Sequence, residues 1–329
     1  MRCASIDIGT NTLRLLIADT CPGNGIKPVL YKRAITRLGG GYTENAGISP
    51  EAAERTVKVL EDFSRIIAEN QVQEVFASAT SVVRRAKNKD SFLSSVSTRT
   101  GINPSVLSAT EEARLALAGV LSVLTDNAEK RLVIDIGGGS TEFIATRGAE
   151  IAGVWSMEMG VVHLTERHII SDPPKDAELS GMEAEITEVL TVLMMDMAED
   201  RIEIGDYSAA SGCVFVGTAG TITTLAALDM GLAAYDRDKV NNYSLKKERV
   251  RVLYKQLAGL TLKQREEVLS LEKGREDLII PGSAITVLVM DGFGFNELMV
   301  SDAGLLEGAI IAGCGRSGGG RLDIKAPGA

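Results

Sequence analysis

Three short glycine-rich stretches hold the residues of this chain that could do chemistry. In residues 131–145, RLVIDIGGGSTEFIA, an apolar run (Leu132, Val133, Ile134, Ile136) stops at Gly137, Gly138 and Gly139 and then resumes. Glycines carry no Cβ, so their amides stay uncovered and the backbone can curl around an anionic group. Asp135 ends the first run and Glu142 opens the second, which puts a carboxylate on either side of the loop. Phosphate on the amides, with a cation held by Asp135 and Glu142, is the chemistry this arrangement suits. A tight hairpin without a ligand would read the same way.

The pattern recurs. Ile6-Asp7-Ile8-Gly9 matches Ile134-Asp135-Ile136-Gly137 at a separation of 128 residues, and each is followed by small polar residues and a second apolar run. The first loop carries Thr10, Asn11 and Thr12 where the second carries Gly138, Gly139, Ser140 and Thr141. Hydroxyls and amides both suit phosphate oxygens. Two such loops at domain-sized spacing predict a duplicated architecture with facing phosphate loops. The third stretch is FVGTAGTITTLAALDMG (215–231), where Gly217, Thr218, Gly220 and Thr221 lead into a helix. A glycine-rich loop at a helix N-terminus is a third candidate phosphate or nucleotide contact. It lacks both the GK[ST] of a Walker loop and a GxGxxG fingerprint.

These loops need strands and helices to position them. A strand is expected over 31–38, and Ser49-Pro50-Glu51 opens a helix that runs to about Asn70, its apolar residues at helical spacing. Another strand is expected over 72–79, and then a helix with Arg84, Arg85 and Lys87 near its start, where cations oppose the macrodipole. After a short strand at 105–107, Ser108 and Glu111 fit a capping box opening SATEEARLALAGVLSVL. Glu111 thereby has a structural role, and Glu112 beside it has none. Further along, helices are expected at 161–171, 180–200, across the charged segment 247–273, at 283–292 and at 301–313. Met194, Met195 and Met197 are read as core filler. The closing GRSGGGRLDIKAPGA (315–329) reads as a disordered tail.

At 329 residues, 45% apolar and 24% charged, the chain can build a sizeable core and suits two domains. Cys3, Cys21, Cys213 and Cys314 show no paired spacing, which points to a reducing compartment and away from zinc. His163 and His168 are the only histidines and are read as surface or packing residues. With no secretory signal and no apolar run of membrane-spanning length, a cytoplasmic protein is expected. A net charge of −9 disfavours a DNA or RNA binder but leaves room for arginines clustered around a phosphate-rich substrate.

Taken together, IDIGTNTLRLLIA (6–18), TRLGGG (36–41), SATSVVRRAKN (78–88), EEARLALAGV (111–120), IDIGGGSTEF (134–143), GTAGTITTLAAL (217–228), GREDLIIPG (274–282) and SDAGLLEG (301–308) resemble a known pattern. It is that of the actin, heat-shock chaperone and sugar-kinase superfamily, and within it the exopolyphosphatase/guanosine pentaphosphate phosphatase family. The resemblance implies an α/β fold of two ribonuclease H-like (actin-like ATPase) domains around a central cleft: 1–125, 126–301, with a helix at about 302–313 packing back on the first. It implies Glu112 as the base that activates water, and Asp7, Asp135 and Glu142 as residues that bind Mg²⁺ and position phosphate. Arg84 looks like a phosphate contact, and Thr10 to Thr12 with Gly137 to Thr141 would hold the terminal phosphoryl group. The implied activity is hydrolysis of a terminal phosphoanhydride, of polyphosphate or of guanosine pentaphosphate; a homodimer is compatible with the family. A phosphotransferase with ATP on the third loop and a non-catalytic alarmone sensor are the rival readings, and Glu112 in EEAR argues against both. The chain departs from its relatives at Leu306 and His163, where arginine is common, and at Asn241-Asn242, where a His-Gly pair is expected. The C-terminal HD-type helical domain of longer members is expected to be absent.

Overall fold

The structure is a computed structural model describing residues 1–21, 25–268 and 275–317. The chain divides into two compact units, Met1–Ser122 with the segment from Ala303 onward, and Val123–Asp302. The glycine-rich segment from 318 and Gly274 of the GRED stretch lie outside the described residues.

The first unit opens with β1 (Arg2–Ile8), β2 (Thr12–Thr20) and β3 (Ile26–Ile35), an antiparallel meander. β1 is buried on both faces over 3–8, as the small and apolar residues over 3–6 require. β3 starts five residues earlier than the sequence suggests and stops at Ile35. Its span is set by pairing with β2 around a bulge at Ile17/Ala18, and as an exposed edge strand it shows little apolar alternation.

Helix α1 (Pro50–Glu69) is capped by Ser49, whose hydroxyl accepts from the Ala52 amide at 3.2 Å. Then come β4 (Glu74–Ala79), α2 (Ser81–Arg85) and α3 (Lys89–Thr100). The single helix expected after Ser81 is thus two. The break at Ala86–Asn88 is held by Asn88, whose side chain accepts from the Ile48 amide at 3.0 Å and donates to the Ile48 carbonyl at 2.8 Å. Arg84 and Arg85 therefore lie in the last turn of α2, where a cation is favourable, and the macrodipole argument at this position is reversed. β5 (Ser105–Val106) and α4 (Ala109–Leu121) follow, and α4 ends earlier than its sequence pattern suggested, at a Ser122 whose hydroxyl turns back to the Gly119 carbonyl. The sheet order is β3-β2-β1-β4-β5, with β4 and β5 parallel to β1.

The second unit repeats this plan. β6 (Lys130–Ile136), β7 (Thr141–Arg147) and β8 (Glu150–Met157) form the meander, and α5 (Val161–His168) and α6 (Asp176–Glu199) follow it. α6 starts four residues ahead of its sequence expectation because Glu178 accepts from the Lys175 and Ser171 amides and fixes the first turn. β9 (Val214–Thr218) runs parallel to β6 and leads into α7 (Ala219–Asp229). Then come α8 (Arg237–Val240), β10 (Ser244–Lys246), α9 (Lys247–Ala258), α10 (Leu262–Glu266), α11 (Ile279–Gly292) and β11 (Glu297–Val300). The charged segment expected as one helix is split between α9 and α10 at Thr261, which caps α10 through a capping box with Gln264. α11 takes in Pro281, whose missing N–H costs nothing in a first turn. The sheet order is β10-β11-β9-β6-β7-β8, so β8, β7, β6, β9 and β11 match β3, β2, β1, β4 and β5.

Met197 is fully buried and Met194 packs on the same core, but Met195 faces solvent, because it lies on the opposite side of α6. The last helix, α12 (Leu305–Ser317), lies against α4 in the first unit. Glycines permit that approach: a Cβ at Gly119 would stand 1.9 Å from the Gly304 carbonyl oxygen, and one at Gly308 would stand 1.7 Å from that of Leu115. Leu306 is buried with Cys3, Leu16, Ala18 and Ile310, so this departure from the family pattern is a packing residue. Asn242 adopts φ +61°, a left-handed conformation that glycine or asparagine tolerates best. Its side chain accepts from the Thr125 amide at 3.0 Å and donates to the Val123 carbonyl at 2.9 Å, while Asn241 accepts from the Asp302 amide at 2.7 Å.

Candidate functional site

In the first unit, the turn between β1 and β2 is closed by the Gly9 amide donating to the Thr12 carbonyl at 3.2 Å. The following TRLGGG segment locks it from outside. The amides of Thr36 and Arg37 donate to the Asn11 carbonyl at 3.0 and 2.9 Å, and the Gly39 amide donates to that of Thr10 at 2.7 Å. Gly39 has to be glycine for this, because a Cβ there would stand 2.4 Å from Thr10 Cγ2. Arg55 on α1 holds the segment in turn by donating to the Thr36 carbonyl at 2.6 Å.

Asp7 sits at the end of β1, directly across from Arg14 on β2. Arg14 donates to Asp7 Oδ2 from Nε at 2.9 Å and from Nη2 at 2.6 Å. Asp7 Oδ1 is buried and has no hydrogen-bond partner, and the same is true of Asn11 Oδ1 in the adjoining loop. Buried oxygens left without a donor are costly, and a hard cation is what such oxygens suit.

Glu112 lies in the first turn of α4. Its neighbour Glu111 is consumed by the capping box, its Oε2 accepting from the Ser108 amide at 2.9 Å and from the Ser108 hydroxyl at 2.7 Å. Those bonds hold the Glu111 carboxyl below its ordinary pKa. Glu112 instead turns to α2, where its Oε2 accepts from Arg84 Nη1 at 2.8 Å. The same nitrogen donates to the Leu107 carbonyl at 2.9 Å, so the guanidinium is tethered at β5 as well.

In the second unit the glycine loop is backed by a helix. The amides of Val161 and Val162, at the start of α5, donate to the carbonyls of Gly137 and Gly138 at 3.1 and 2.9 Å. In a planar trans peptide the N–H points opposite to the C=O. The amides of Gly138 and Gly139 are therefore turned away from α5. Gly160 allows this packing: a Cβ there would stand 2.3 Å from the Gly138 carbonyl oxygen. Glu142 is buried, and its Oε1 accepts from Ser140 Oγ at 2.7 Å and Ser156 Oγ at 2.9 Å. Thr141 donates its hydroxyl to the Met159 carbonyl. Asp135 stands in register with Glu142 on one side and with Thr218 on the other, which brings the second and third loops to the same end of the sheet.

The third loop divides its labour. Gly217 is a packing residue under Ile222, its carbonyl accepting from the Ser301 amide at 2.9 Å. Thr221 is buried against Gly282 of α11. Ala219 is forced to φ +66°, an uncommon conformation for a residue with a Cβ. Gly220 is covered by a guanidinium: a Cβ there would stand 1.5 Å from Arg275 Nη1.

A model of the Ppx/GppA phosphatase family matches residues 16–316 of this chain. The chain belongs to that family. Exopolyphosphatase 2 of Mycobacterium tuberculosis is 31% identical over 324 residues, covering 94% of this chain and 98% of the relative. The structure of the Aquifex aeolicus Ppx/GppA family member aligns with a TM-score of 0.78 at 30% identity, covering 96% of this chain and 98% of that one. The structure of an exopolyphosphatase from Cytophaga hutchinsonii aligns with a TM-score of 0.85 at 27% identity, covering 98% and 99%. The chain is accordingly a phosphoanhydride hydrolase of the two-domain actin-like fold.

Ppx/GppA phosphatases depend on a divalent metal. Among the described residues no three His, Cys, Asp or Glu side chains gather into a metal centre. The donor set still fits a hard cation, because Asp7 Oδ1 and Asn11 Oδ1 are buried oxygens without a donor. Within the first unit, then, the fold brings together Asp7, Asn11 and their loop, and separately Arg84 with Glu112. Within the second it brings together Asp135, Glu142, Ser140 and Thr218. Two arginines beside these groups were not among the residues read from the sequence: Arg14 on Asp7 and Arg275 over Gly220. Arg14 lies in the IDIGTNTLRLLIA stretch, and the hairpin register that sets it opposite Asp7 was its signal. Arg275 is far from Gly220 in sequence, and only the GRED stretch hinted at it.

No described helix is long and apolar enough to cross a membrane.

Proposed function

We propose that the protein is an exopolyphosphatase, hydrolysing the terminal phosphoanhydride of inorganic polyphosphate with Mg²⁺ and releasing phosphate. The observation that carries this reading is the state of Glu112. It is half-buried, excluded from the capping box that occupies Glu111, and oriented by Arg84. A carboxylate so held suits taking a proton from water, and a non-catalytic sensor has no need of it.

In this reading Arg84 leans toward the arriving phosphate while its bond to Leu107 keeps it in place. The outward amides of Gly138 and Gly139 in the second unit, and the hydroxyls of Thr10 and Thr12 in the first, each suit phosphoryl oxygens. Glu112 orients the attacking water and accepts its proton as the new P–O bond forms and the bridging phosphoanhydride P–O bond breaks, with the shortened polyphosphate leaving. Asp7 and Asn11 in the first unit would hold the metal, which would neutralise phosphate charge when bound, and Asp135 and Glu142 are the candidate ligands of the second unit. The catalytic power then comes from positioning and charge more than from covalent chemistry. Similarity along almost the full chain to a relative named an exopolyphosphatase supports polyphosphate as the substrate.

The test is phosphate release with Mg²⁺ from long-chain polyphosphate and from guanosine pentaphosphate at matched terminal-phosphate concentration. Release from polyphosphate without any acceptor is expected. Release chiefly from the nucleotide would make the protein a guanosine pentaphosphate phosphohydrolase. Release that requires a phosphate acceptor would make it a phosphotransferase.

A further inference from the structure

Cys3 and Cys314 lie 311 residues apart in sequence, yet their Sγ atoms are 3.2 Å apart. Cys3 is on β1, fully buried, and Cys314 is on α12, partly exposed. The approach is built into the packing. The neighbouring Gly313 has no side chain where the Phe76 ring of β4 sits, and a Cβ there would stand 2.2 Å from Phe76 Cε1. Leu306 and Ile310, earlier on α12, pack with Cys3, Leu16 and Ala18, so the helix is seated on the strand along its length. Two thiols this close can share a metal or form a bond. Among the described residues no further His, Cys, Asp or Glu completes a metal site around them.

We infer that Cys3 and Cys314 form a reversible disulfide when the protein meets hydrogen peroxide, covalently tying α12 to β1. A disulfide S–S distance is about 2.05 Å, so the sulfurs need to close by only about 1.1 Å. Burial pushes the Cys3 thiol up to about 12, with the Cys314 sulfur as the next contributor, so Cys3 is not the first to react. Cys314 is the thiol that solvent reaches. Its thiolate attacks one peroxide oxygen, the O–O bond breaks, and the products are a sulfenic acid and hydroxide, which takes up a proton. The Cys3 sulfur then attacks the sulfenic sulfur, the S–O bond breaks, and the Cys3 proton leaves with the hydroxyl as water. Two thiols are oxidised by two electrons and one peroxide is reduced to two waters. Cys21 is exposed and Cys213 is buried, and both serve as internal comparators.

The experiment treats the full-length protein with hydrogen peroxide, blocks remaining thiols by alkylation, and maps peptides without reduction. The expected product is a peptide pair joining Cys3 to Cys314, lighter by two hydrogens and released by dithiothreitol. Its formation should be abolished by Cys314→Ser, a substitution at a partly exposed site, and retained in Cys21→Ser. The linked protein should also unfold at a higher temperature than the reduced protein, a difference absent from Cys314→Ser. Accumulation of sulfinic acid on Cys314 while Cys3 stays alkylatable after unfolding would overturn the inference. So would a link that disappears with Cys21, since that would mark exchange between molecules.

Discussion

Replacing Glu112 by glutamine removes a charge while leaving the shape of the side chain nearly unchanged, which separates its chemical role from its structural one. The amide oxygen of the substituted side chain can still accept from Arg84 Nη1, and that nitrogen keeps its second bond to the Leu107 carbonyl. What folding loses is the difference between a charge-assisted and a neutral hydrogen bond, about 1 kcal/mol. The side chains of Arg84 and Glu112 are 22% and 16% exposed, so water screens part of even that. For a chain of this size the unfolding midpoint should fall by no more than about 4 °C. Turnover should behave very differently. A general base typically contributes about 10²- to 10⁴-fold, equivalent to about 3–5 kcal/mol of barrier. Phosphate release from polyphosphate, followed at saturating Mg²⁺ alongside thermal unfolding, should drop at least about a hundredfold. Glu111→Gln provides the opposite case. It weakens a cap that the charged carboxylate makes with Ser108, so stability falls while turnover stays. Because the folded carboxyl of Glu111 lies below its ordinary pKa, that loss should be seen at neutral pH and should vanish as pH falls through the folded value. Full turnover in a folded Glu112→Gln protein would refute the assignment of the base.

Asp7→Asn should raise the Mg²⁺ concentration needed for half-maximal phosphate release, because the carboxylate whose Oδ1 lacks a donor loses its charge; a metal titration that does not move would count against Asp7 as a ligand. Asn242→Gly keeps the left-handed backbone but loses the bonds to Val123 and Thr125, whereas Asn242→Ala loses the bonds and adds strain. Urea unfolding should therefore rank the proteins wild type, Gly, Ala in falling stability, with Ala below Gly by about 1 kcal/mol or more; an alanine variant as stable as the glycine one would show that the positive φ carries no strain.

The sequence by itself determined the parts of this protein that depend on local chemistry. Ser49 and Ser108 cap helices because a short hydroxyl side chain before a helical run has a nearby amide to satisfy. The duplicated Ile-Asp-Ile-Gly pattern became two sheets of matching order, because a buried strand and a glycine turn specify a hairpin almost alone. Glu112 stood out because Glu111 was already accounted for. Tertiary structure decided the pairings between distant residues. Arg84 meets Glu112 because β5 pairs with β4 and so sets the start of α4 beside α2. The carbonyls of Gly137 and Gly138 are claimed by α5, which aims the loop amides, and no local pattern in the loop announces that helix. Arg275 over Gly220 and Cys3 beside Cys314 belong to the same class. Local sequence carries propensity and periodicity over a few turns. Contacts between residues tens or hundreds of positions apart arise from how whole elements pack, and there the absence of a single Cβ, at Gly119, Gly308 or Gly313, decides which side chains meet.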